Sequence, residues 1–368
     1  MAERKNILSI GRDSTICEIG SQLHTRATEY DKYHTFTTLV MNPGKEKSVQ
    51  VGNSRAVLVG GSNIITAFLK TFFSAFREAK KNQFDLVTTQ DVLYAGLVGL
   101  FIAKVFKIPL YVQVHGDHLD NERWFKSKVG KFNRLMNVVG KYILKRGDQV
   151  RAVSERLRKQ LISNYNLDPE KIISIPIGTD LAKFAPNENV KRQKTIAFAQ
   201  RLILEKCPFL LVAVTSRILK KYPDVNISIA GDGVLRGEME EMYRKSGLLS
   251  RVNFLGMVDH RSLVSLYQSS FCYLHTADWE GWGMPMIEAM ATGCPVVTTD
   301  TGCAGEAIRH NETGLVTSIN DEDALVAEVE RLLDDDRLWK NLSKQGIIEA
   351  QQWSFSVLAR KNMEWYGR

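Results

Sequence analysis

Glu280 and Glu288, with seven residues between them, lie in the most informative segment of the chain, residues 278–306. Gly281 and Gly283 indicate a turn, and Pro285 suits the first turn of a helix that would run to about residue 291. Glu280 would then lie on the loop before the helix and Glu288 one turn inside it. Backbone N–H groups at such a helix start bind anions or hydroxyls, and flanking carboxylates accept hydrogen bonds from sugar hydroxyls. The N–H groups expected to be free are those of Met284, Met286 and Ile287.

A single glutamate at a helix start is more often only a favourable partner of the helix dipole. Two glutamates combined with this glycine and proline pattern favour a binding site instead. His115, at the end of a candidate strand, is a second candidate, although a histidine there is more often a structural hydrogen-bonding residue. With Asp117 and His118 it resembles a metal-binding cluster, but one short cluster without a further ligand is weak support, and no metal is expected.

Short apolar runs rich in β-branched residues alternate with segments of helical period along the chain. This alternation is typical of parallel βαβ units and predicts an α/β fold of two doubly wound domains. The predicted strands are 6–10, 36–41, 56–59, 84–88, 110–114, 149–153, 171–175, 195–199, 226–230, 252–255, 271–275, 295–298 and 314–317. The predicted helices are 62–81, 91–106, 124–146, 154–164, 207–221, 234–246, 260–268, 285–292 and 321–334.

Residues 182–194 are polar, with a proline and an asparagine-rich turn, which indicates an interdomain linker. We therefore expect domains at 1–181 and 182–352, followed by a C-terminal helix within 353–368. Ligands of doubly wound sheets bind beyond the carboxyl ends of the strands, so the cleft between the domains is the expected site. The C-terminal helix has aromatic residues at both ends. Packing on the second domain is favoured for it, and packing back on the first is the alternative.

The composition is that of an ordinary globular protein, because 44% of the 368 residues are hydrophobic and 24% are charged. It excludes disordered and fibrous classes, and no apolar run is long enough to span a membrane. The N-terminus lacks the apolar region of a signal peptide and is interpreted as a first strand. The five cysteines are scattered, so a disulfide framework and a zinc site are not expected, and a cytoplasmic location is favoured.

The net charge of +8 is unevenly distributed. Residues 1–190 contain 28 Lys and Arg against 18 Asp and Glu, whereas residues 191–368 contain 21 against 23. Residues 123–146 contain eight basic residues and no acid, on a segment with the apolar period of an amphipathic helix. The apolar stripe is expected to face the sheet. The charges predict that the protein binds peripherally to an anionic membrane surface on its cytoplasmic side.

Several segments resemble, in order and spacing, the retaining, nucleotide-sugar-dependent glycosyltransferases of family 4, which share the GT-B fold of two Rossmann-like domains. The segment 278–306 is similar to the E-x7-E signature of this family. The other similar segments are PIGTD (176–180), FAQRLILEKCP (198–208), IAGDG (229–233), VNFLGMV (252–258) and TGCAGE (301–306). Gln200 replaces a glycine that is usual in the family. The resemblance covers essentially the whole chain and is most specific from 196 to 317.

The resemblance implies a donor site in the second domain. Arg201 and Lys206 would bind the donor diphosphate and stabilise the departing nucleotide, where fixed cations act most in the transition state. Glu280 would contact the donor sugar, and Glu288 the ribose hydroxyls. Glu306 is a further candidate. The residues expected to line the sugar, phosphate and base pockets are Gly231, Val258, Gly281, Gly283, Met284, Pro285 and Met286.

On the acceptor side, His115 matches a histidine that the family commonly has near the donor sugar, and it joins the expected catalytic residues. The family usually has a glycine-rich loop after its first strand, but here GRDSTICE (11–18) contains one glycine. Gly11, Arg12, Ser14 and Asp117 are therefore only candidates for acceptor or phosphate contacts. GT-B enzymes generally need no metal for catalysis, so neither a metal nor another cofactor is expected.

The function expected from this resemblance is transfer of a hexose from a nucleotide-diphosphate sugar to a hydroxyl of a saccharide or lipid-linked acceptor, with retention, in cell-surface glycan synthesis. A sugar-nucleotide epimerase would use the same donor contacts without an acceptor. The pI of 9.1 also leaves a non-enzymatic binder of an anionic polymer open. No nucleic-acid-binding motif supports that class, and nucleic acid is not an expected partner.

Overall fold

The computed structural model describes residues 3–116, Leu119 and residues 130–368, with backbone alone for residues 130–133. The chain divides into two compact units. Unit 1 is formed by Met1–Pro176 together with Phe355–Arg368, and unit 2 by Ile177–Ser354. The first division therefore comes before residue 181, the boundary that the sequence predicts.

Unit 1 contains an eight-stranded sheet within the described residues. Its apolar strands are covered on both faces, and Ile7, Leu8 and Ile10 of the first strand are fully buried. Neighbouring strands are parallel except β3 and β4, which are antiparallel. The sheet order is β3-β4-β2-β1-β5-β6-β7-β8. The strands are β1 (Asn6–Gly11), β2 (Thr35–Val40), β3 (Lys47–Val51), β4 (Ser54–Leu58), β5 (Leu86–Thr89), β6 (Leu110–Val114), β7 (Gln149–Ala152) and β8 (Ile172–Ser174).

The helices of unit 1 connect these parallel strands and cover the sheet. Asn63 begins α2 with a capping box, in which its side chain accepts from the Thr66 N–H and the Thr66 hydroxyl accepts from the Asn63 N–H. The described helices of this unit are α1 (Gln22–Asp31), α2 (Ile64–Lys81), α3 (Tyr94–Phe106), α4 (Gly130–Arg146), α5 (Glu155–Tyr165) and α12 (Phe355–Gly367). The part of the predicted helix 124–146 that precedes Gly130 lies outside the described residues.

The C-terminal helix α12 packs on unit 1, which agrees with the alternative that it packs back on the first domain and not with packing on the second. The Tyr111 ring lies 5.0 Å from Trp365 and 6.2 Å from Tyr366. The Tyr366 hydroxyl accepts a hydrogen bond from Gln113 at 2.8 Å, and His34 contacts the Met363 carbonyl at 3.1 Å. Burial of the Trp365 and Tyr366 rings, together with the hydrogen bond to the Tyr366 hydroxyl, holds the helix on this sheet.

Unit 2 contains a six-stranded parallel sheet within the described residues, in the order β11-β10-β9-β12-β13-β14. This is the strand order of a Rossmann domain. Strands β10 and β11 are added on one side of β9, and β12, β13 and β14 on the other. The strands are β9 (Thr195–Ala199), β10 (Asn226–Ala230), β11 (Val252–Gly256), β12 (Cys272–His275), β13 (Val296–Thr299) and β14 (Leu315–Thr317). The helices are α6 (Pro208–Lys221), α7 (Arg236–Lys245), α8 (His260–Ser269), α9 (Met284–Ala291), α10 (Glu322–Asp334) and α11 (Asp336–Ala350).

The segment 182–194 is packed into unit 2, which corrects the prediction of a linker there. The Phe184 ring is buried and lies 4.8 Å from that of His260. The Arg192 guanidinium donates to the carbonyls of Tyr267, Ser270 and Thr292 at 2.6–3.0 Å. These contacts hold the polar segment against α8 and the end of α9.

Across residues 3–116, 119 and 130–368, no helix is long and apolar enough to cross a membrane.

Candidate active site

The loops that follow β9 and β12 meet at the carboxyl edge of the unit 2 sheet. These two strands are neighbours, but the connection after β9 leads to β10 on one side and that after β12 leads to β13 on the other. Ligands of doubly wound sheets bind at such a switch point, because the diverging loops leave a crevice between them. The predicted residues Arg201 and Lys206 follow β9, and Glu280 follows β12.

Lys206 and Glu280 form an ion pair at this switch point. The distance from Lys206 Nζ to Glu280 Oε2 is 2.5 Å, and the two side chains are only 11% and 19% exposed. Lys206 ends a short 3-10 helix, and its carbonyl accepts a hydrogen bond from the Thr276 hydroxyl at 3.0 Å. Two residues that the family resemblance assigns to different parts of a donor are thus in direct contact.

The turn between Glu280 and α9 requires glycine at position 283. Gly283 has φ +88°, and a Cβ there would lie 2.2 Å from Met286 Cε. The preceding residue, Trp282, is buried, and its carbonyl accepts from the Cys303 N–H at 2.8 Å. The turn is therefore held both by its own conformation and by the segment after β13.

Helix α9 begins at Met284 with Pro285 in its first turn, as the pattern predicts. The Met286 N–H donates to the Gly283 carbonyl at 3.0 Å, so the expectation that this group is free was wrong. The tight turn that Gly283 makes brings its carbonyl over the helix start. Glu288 lies one turn inside α9 and is buried.

A buried polar cluster close enough for the Lys206 charge to act on it was not predicted. The Gln200 amide contacts the His275 ring, and it lies 3.3 Å from the Tyr273 hydroxyl. Burial and then the Lys206 charge lower the pKa of His275 to about 3, so its imidazole is neutral. Burial raises the pKa of Tyr273 well above its usual value, and the charges of Glu280 and Glu288 raise it further.

The signal for this cluster was present in the sequence. His275 is the last residue of strand β12, His115 directly follows strand β6, and Gln200 stands where the family usually has glycine. The Gln200 side chain reaches from the end of β9 to the His275 ring at the end of β12. Its amide group donates to the His275 ring, which lies 75 residues later in the sequence.

The remaining donor-side candidates also lie at the carboxyl edge of this sheet. The Arg201 side chain is exposed and makes no ion pair with any residue in the described part of the chain. Gly231 follows β10 with φ +123°, and a Cβ there would lie 2.0 Å from the Gln200 carbonyl oxygen. Val258 is half-buried after β11, and Glu306 lies in the turn after β13. Gly281 is buried, and Met284 and Pro285 are partly exposed.

Unit 1 has its own cluster at the carboxyl ends of three adjacent strands. His115 Nε2 lies 3.1 Å from Gln90 Oε1, and Gly11 is buried against the Gln90 side chain. The Arg12 guanidinium carbon lies 5.3 Å from the centroid of the Tyr94 ring. Strands β1, β5 and β6 thus bring the predicted residues Gly11, Arg12 and His115 to one edge.

Asp91 is a member of this cluster that the sequence interpretation missed. Its carboxylate accepts from the N–H groups of Leu93 at 2.8 Å and Ala95 at 3.2 Å. Burial raises its pKa, while the N–H bonds and the charge of Arg12 oppose that rise. Gln90 and Asp91 directly follow β5 and come two and three residues after the predicted strand 84–88, and polar residues at that position were the available signal.

Ser14 is the other first-domain candidate that the structure describes. Ser14 begins a 3-10 helix, Ser14–Cys17, whose N-cap is Asp13. Asp117 and His118 lie outside the described residues. Among the residues that are described, no three His, Cys, Asp or Glu side chains converge where a metal ion could bind.

Comparison with known families identifies the chain. Residues 180–349 match the family described as Glycosyl transferases group 1, and residues 25–183 match Glycosyltransferase Family 4. The chain belongs to the family 4, group 1 glycosyltransferases. The glycogen synthase of Mycobacterium tuberculosis is 25% identical to it over 253 residues, which cover 68% of this chain and 60% of that protein. The match therefore spans less than two thirds of that relative.

Solved structures confirm the expected GT-B fold of this glycosyltransferase. Sucrose-phosphate synthase from Thermosynechococcus elongatus has a TM-score of 0.82 at 20% identity, with 99% of this chain and 98% of that one covered. Anabaena HepE in complex with UDP-glucose has a TM-score of 0.76 at 18% identity, with 99% of each chain covered. The recognised family and fold agree with the sequence resemblance, whereas the roles of the individual site residues remain predictions.

Proposed function

We propose that this glycosyltransferase transfers a hexose from a nucleotide-diphosphate sugar to a hydroxyl of a saccharide or lipid-linked acceptor, with retention at the anomeric carbon. The proposed biological role is cell-surface glycan synthesis on the cytoplasmic side of a membrane. Support for a nucleotide-sugar donor comes from the family and from the UDP-glucose complex of a protein with the same fold.

The Lys206–Glu280 ion pair is the observation that carries this proposal. In a partly buried pair, each charge neutralises the other when no ligand is present. An incoming diphosphate offers Lys206 a doubly charged partner, and the pair then opens. Glu280 is released as an acceptor for the hydroxyls of the sugar attached to that diphosphate. One exchange of partners thus couples recognition of the phosphate to recognition of the sugar.

Arg201 completes the proposed diphosphate site. It follows β9, and its exposed guanidinium is available to form paired hydrogen bonds with phosphate oxygens. Cations fixed at this position stabilise the charge that develops on the departing nucleotide, so they accelerate transfer as well as bind the donor. Glu288 is proposed to hold the ribose hydroxyls, and the role of His115 stays a prediction from the resemblance.

The proposed reaction is a front-face displacement. The bond from the anomeric carbon to the diphosphate oxygen breaks while the acceptor oxygen bonds to the same face of the sugar. The acceptor proton passes to the departing diphosphate oxygen, so no side-chain base is required. The protein contributes position and charge, which can supply several kcal/mol of barrier reduction.

The test begins with thermal-shift measurements against UDP-, GDP- and ADP-sugars, followed by turnover with the donor that stabilises the protein. Arg201→Ala with Lys206→Ala should lower kcat/KM by at least a hundredfold. Arg217→Ala with Lys221→Ala is the matched control, because it removes the same two residue types from exposed ion pairs on α6 of the same unit. Full turnover in the Arg201 and Lys206 variant would refute the assigned roles.

Product analysis distinguishes transfer from epimerisation. Incubation with the nucleotide sugar alone should leave the sugar configuration unchanged, and a glycoside should form only when an acceptor is added. The anomeric configuration of that glycoside, measured by NMR, should match that of the donor. Conversion of the donor to its epimer without an acceptor would contradict the proposal.

A further inference from the structure

Three helices on one side of unit 1 share an unusual exposed surface. Every exposed position of α2, of α3 and of the described side chains of α4 is either apolar or basic. The nine apolar residues are Ile65, Leu69, Phe73, Phe76, Phe101, Val105, Leu135, Val138 and Tyr142. The eight basic residues are Lys70, Arg77, Lys80, Lys81, Lys104, Arg134, Lys145 and Arg146. We name this set the α2–α4 face.

The α2–α4 face is continuous across the three helices. The Phe101 ring of α3 lies 4.6 Å from Phe72 and 6.4 Å from Phe76 of α2. Between α3 and α4, Lys104 Nζ lies 3.4 Å from the Tyr142 hydroxyl. Arg146 lies 5.2 Å from the centroid of the same ring. The exposed aromatic residues and the cations therefore form one surface rather than three separate stripes.

The apolar side chains of this face are well exposed and regularly spaced. Ile65, Leu69, Phe73 and Phe76 follow one another by four, four and three residues on α2, and Ile65 and Phe73 are 67% and 62% exposed. A soluble surface rarely places large apolar groups in such a row, and a contiguous exposed row indicates a binding surface. The core side of α2 is filled separately by small residues, including Ala67, Ala75 and Ala79.

We propose that the α2–α4 face binds the surface of an anionic lipid bilayer. Apolar and aromatic side chains enter the boundary between headgroups and acyl chains, while the Lys and Arg side chains extend to the anionic headgroups. The alternation of large apolar groups with cations fits this two-layered surface. An acidic polymer would pair with the cations and leave nine apolar side chains in water.

The charge of the α2–α4 face disfavours a second copy of this chain as its binding partner. A twofold interface would place eight cations of one copy against eight of the other, and the exposed positions of these helices contain no acid to compensate them. The acid of α2, Glu78, is only partly exposed and already paired with Arg55. An anionic bilayer supplies the missing negative charge.

The proposed surface enlarges the region that the sequence suggested for membrane binding. The sequence pointed to residues 123–146, where residues 123–129 lie outside the described residues. The α2 and α3 residues were not expected to take part. The proposal does not depend on the transfer reaction, because membrane binding is measured without donor or acceptor.

Co-sedimentation of the full chain with vesicles tests the proposal. Vesicles of phosphatidylcholine with 30% phosphatidylglycerol should bind the protein at 50 mM salt, and pure phosphatidylcholine should bind it at least tenfold more weakly. Lys70→Gln, Arg77→Gln and Lys81→Gln together should lower partitioning about a hundredfold, since each cation near an anionic surface contributes on the order of fivefold. Leu69→Ser with Phe73→Ser should lower binding to both vesicle types by at least tenfold.

The matched control is Ile319→Ser with Ile348→Ser, which removes two exposed apolar side chains from unit 2 and should leave vesicle binding unchanged. Circular dichroism of each variant checks that the fold is intact. Binding that is independent of anionic lipid, or equal loss in the control, would overturn the proposal. A dimer in sedimentation velocity that Leu69→Ser with Phe73→Ser converts to a monomer would assign the face to a second copy instead.

Discussion

Breaking the Lys206–Glu280 ion pair should reduce both stability and activity, and a double-mutant cycle separates the two effects. At 2.5 Å and an effective dielectric constant of about 20, the Coulomb attraction is about 7 kcal/mol. Loss of hydration offsets more than half of this for a largely buried pair. We therefore expect Lys206→Met and Glu280→Gln each to destabilise unit 2 by about 2–3 kcal/mol. The double variant should recover about 2 kcal/mol of the summed loss, because it leaves no uncompensated charge.

The assay is urea titration with hydrogen exchange of unit 2 peptides, so that unfolding of each unit is followed separately. Turnover with the donor found by thermal shift is measured in parallel. Both single variants and the double variant should lose activity by at least a hundredfold. The proposed donor contacts of Lys206 and Glu280 need their charges, which these substitutions remove. Additive destabilisation in the double variant would refute the energetic role of the pair. Recovery of activity in the double variant would refute the partner exchange that we propose for donor binding.

Three further variants test other contacts. His275 has a folded-state pKa of about 3, below its unfolded value of about 6.5. The free energy of unfolding of unit 2 should therefore fall by up to about 1.4 kcal/mol per pH unit as the pH falls below 6.5. Urea midpoints at pH 7, 6 and 5 should show this slope, and the slope should be smaller in His275→Gln. Tyr366→Phe removes an acceptor of the buried Gln113 amide and should lower stability by about 1–2 kcal/mol, measured by hydrogen exchange of β6 and α12. Tyr33→Phe, at an exposed position, should cause no measurable loss of stability. Gly231→Ala should lower the thermal midpoint of unit 2 strongly, because its Cβ meets the Gln200 carbonyl; Gly237→Ala on α7 has open space and should leave the midpoint unchanged or higher.

Most strands could be predicted from the sequence because parallel strands are buried on both faces and read as short apolar runs. Strands β6, β9 and β10 have the predicted bounds. The missed strand β3 (Lys47–Val51) lies at the sheet edge and is largely exposed, so it lacks such a run. Helix α1 (Gln22–Asp31) was missed because its sequence is mostly polar, and among its residues only Asp31 is buried.

The candidate site could be predicted residue by residue but not as a set of contacts. Glu280 and Lys206 were identified through family resemblance, yet their pairing joins positions 74 residues apart. The residues of α12 that pack against Tyr111 and Gln113 lie more than 250 positions later in the sequence. A local sequence pattern does not predict such contacts, because they depend on where each helix or strand lies in the folded sheet.

The position of α12 in unit 1 has a consequence for synthesis on the ribosome. Unit 1 is interrupted in sequence by the whole of unit 2, so all of Ile177–Ser354 leaves the ribosome before the last helix of unit 1 is available. Until then, the groove that Trp365 and Tyr366 fill stays uncovered beside Phe36 and Tyr111. The nascent chain thus carries an apolar surface for the time needed to translate an entire domain. A holdase chaperone that binds apolar grooves would meet its substrate during this interval, and release would coincide with docking of the C-terminal helix.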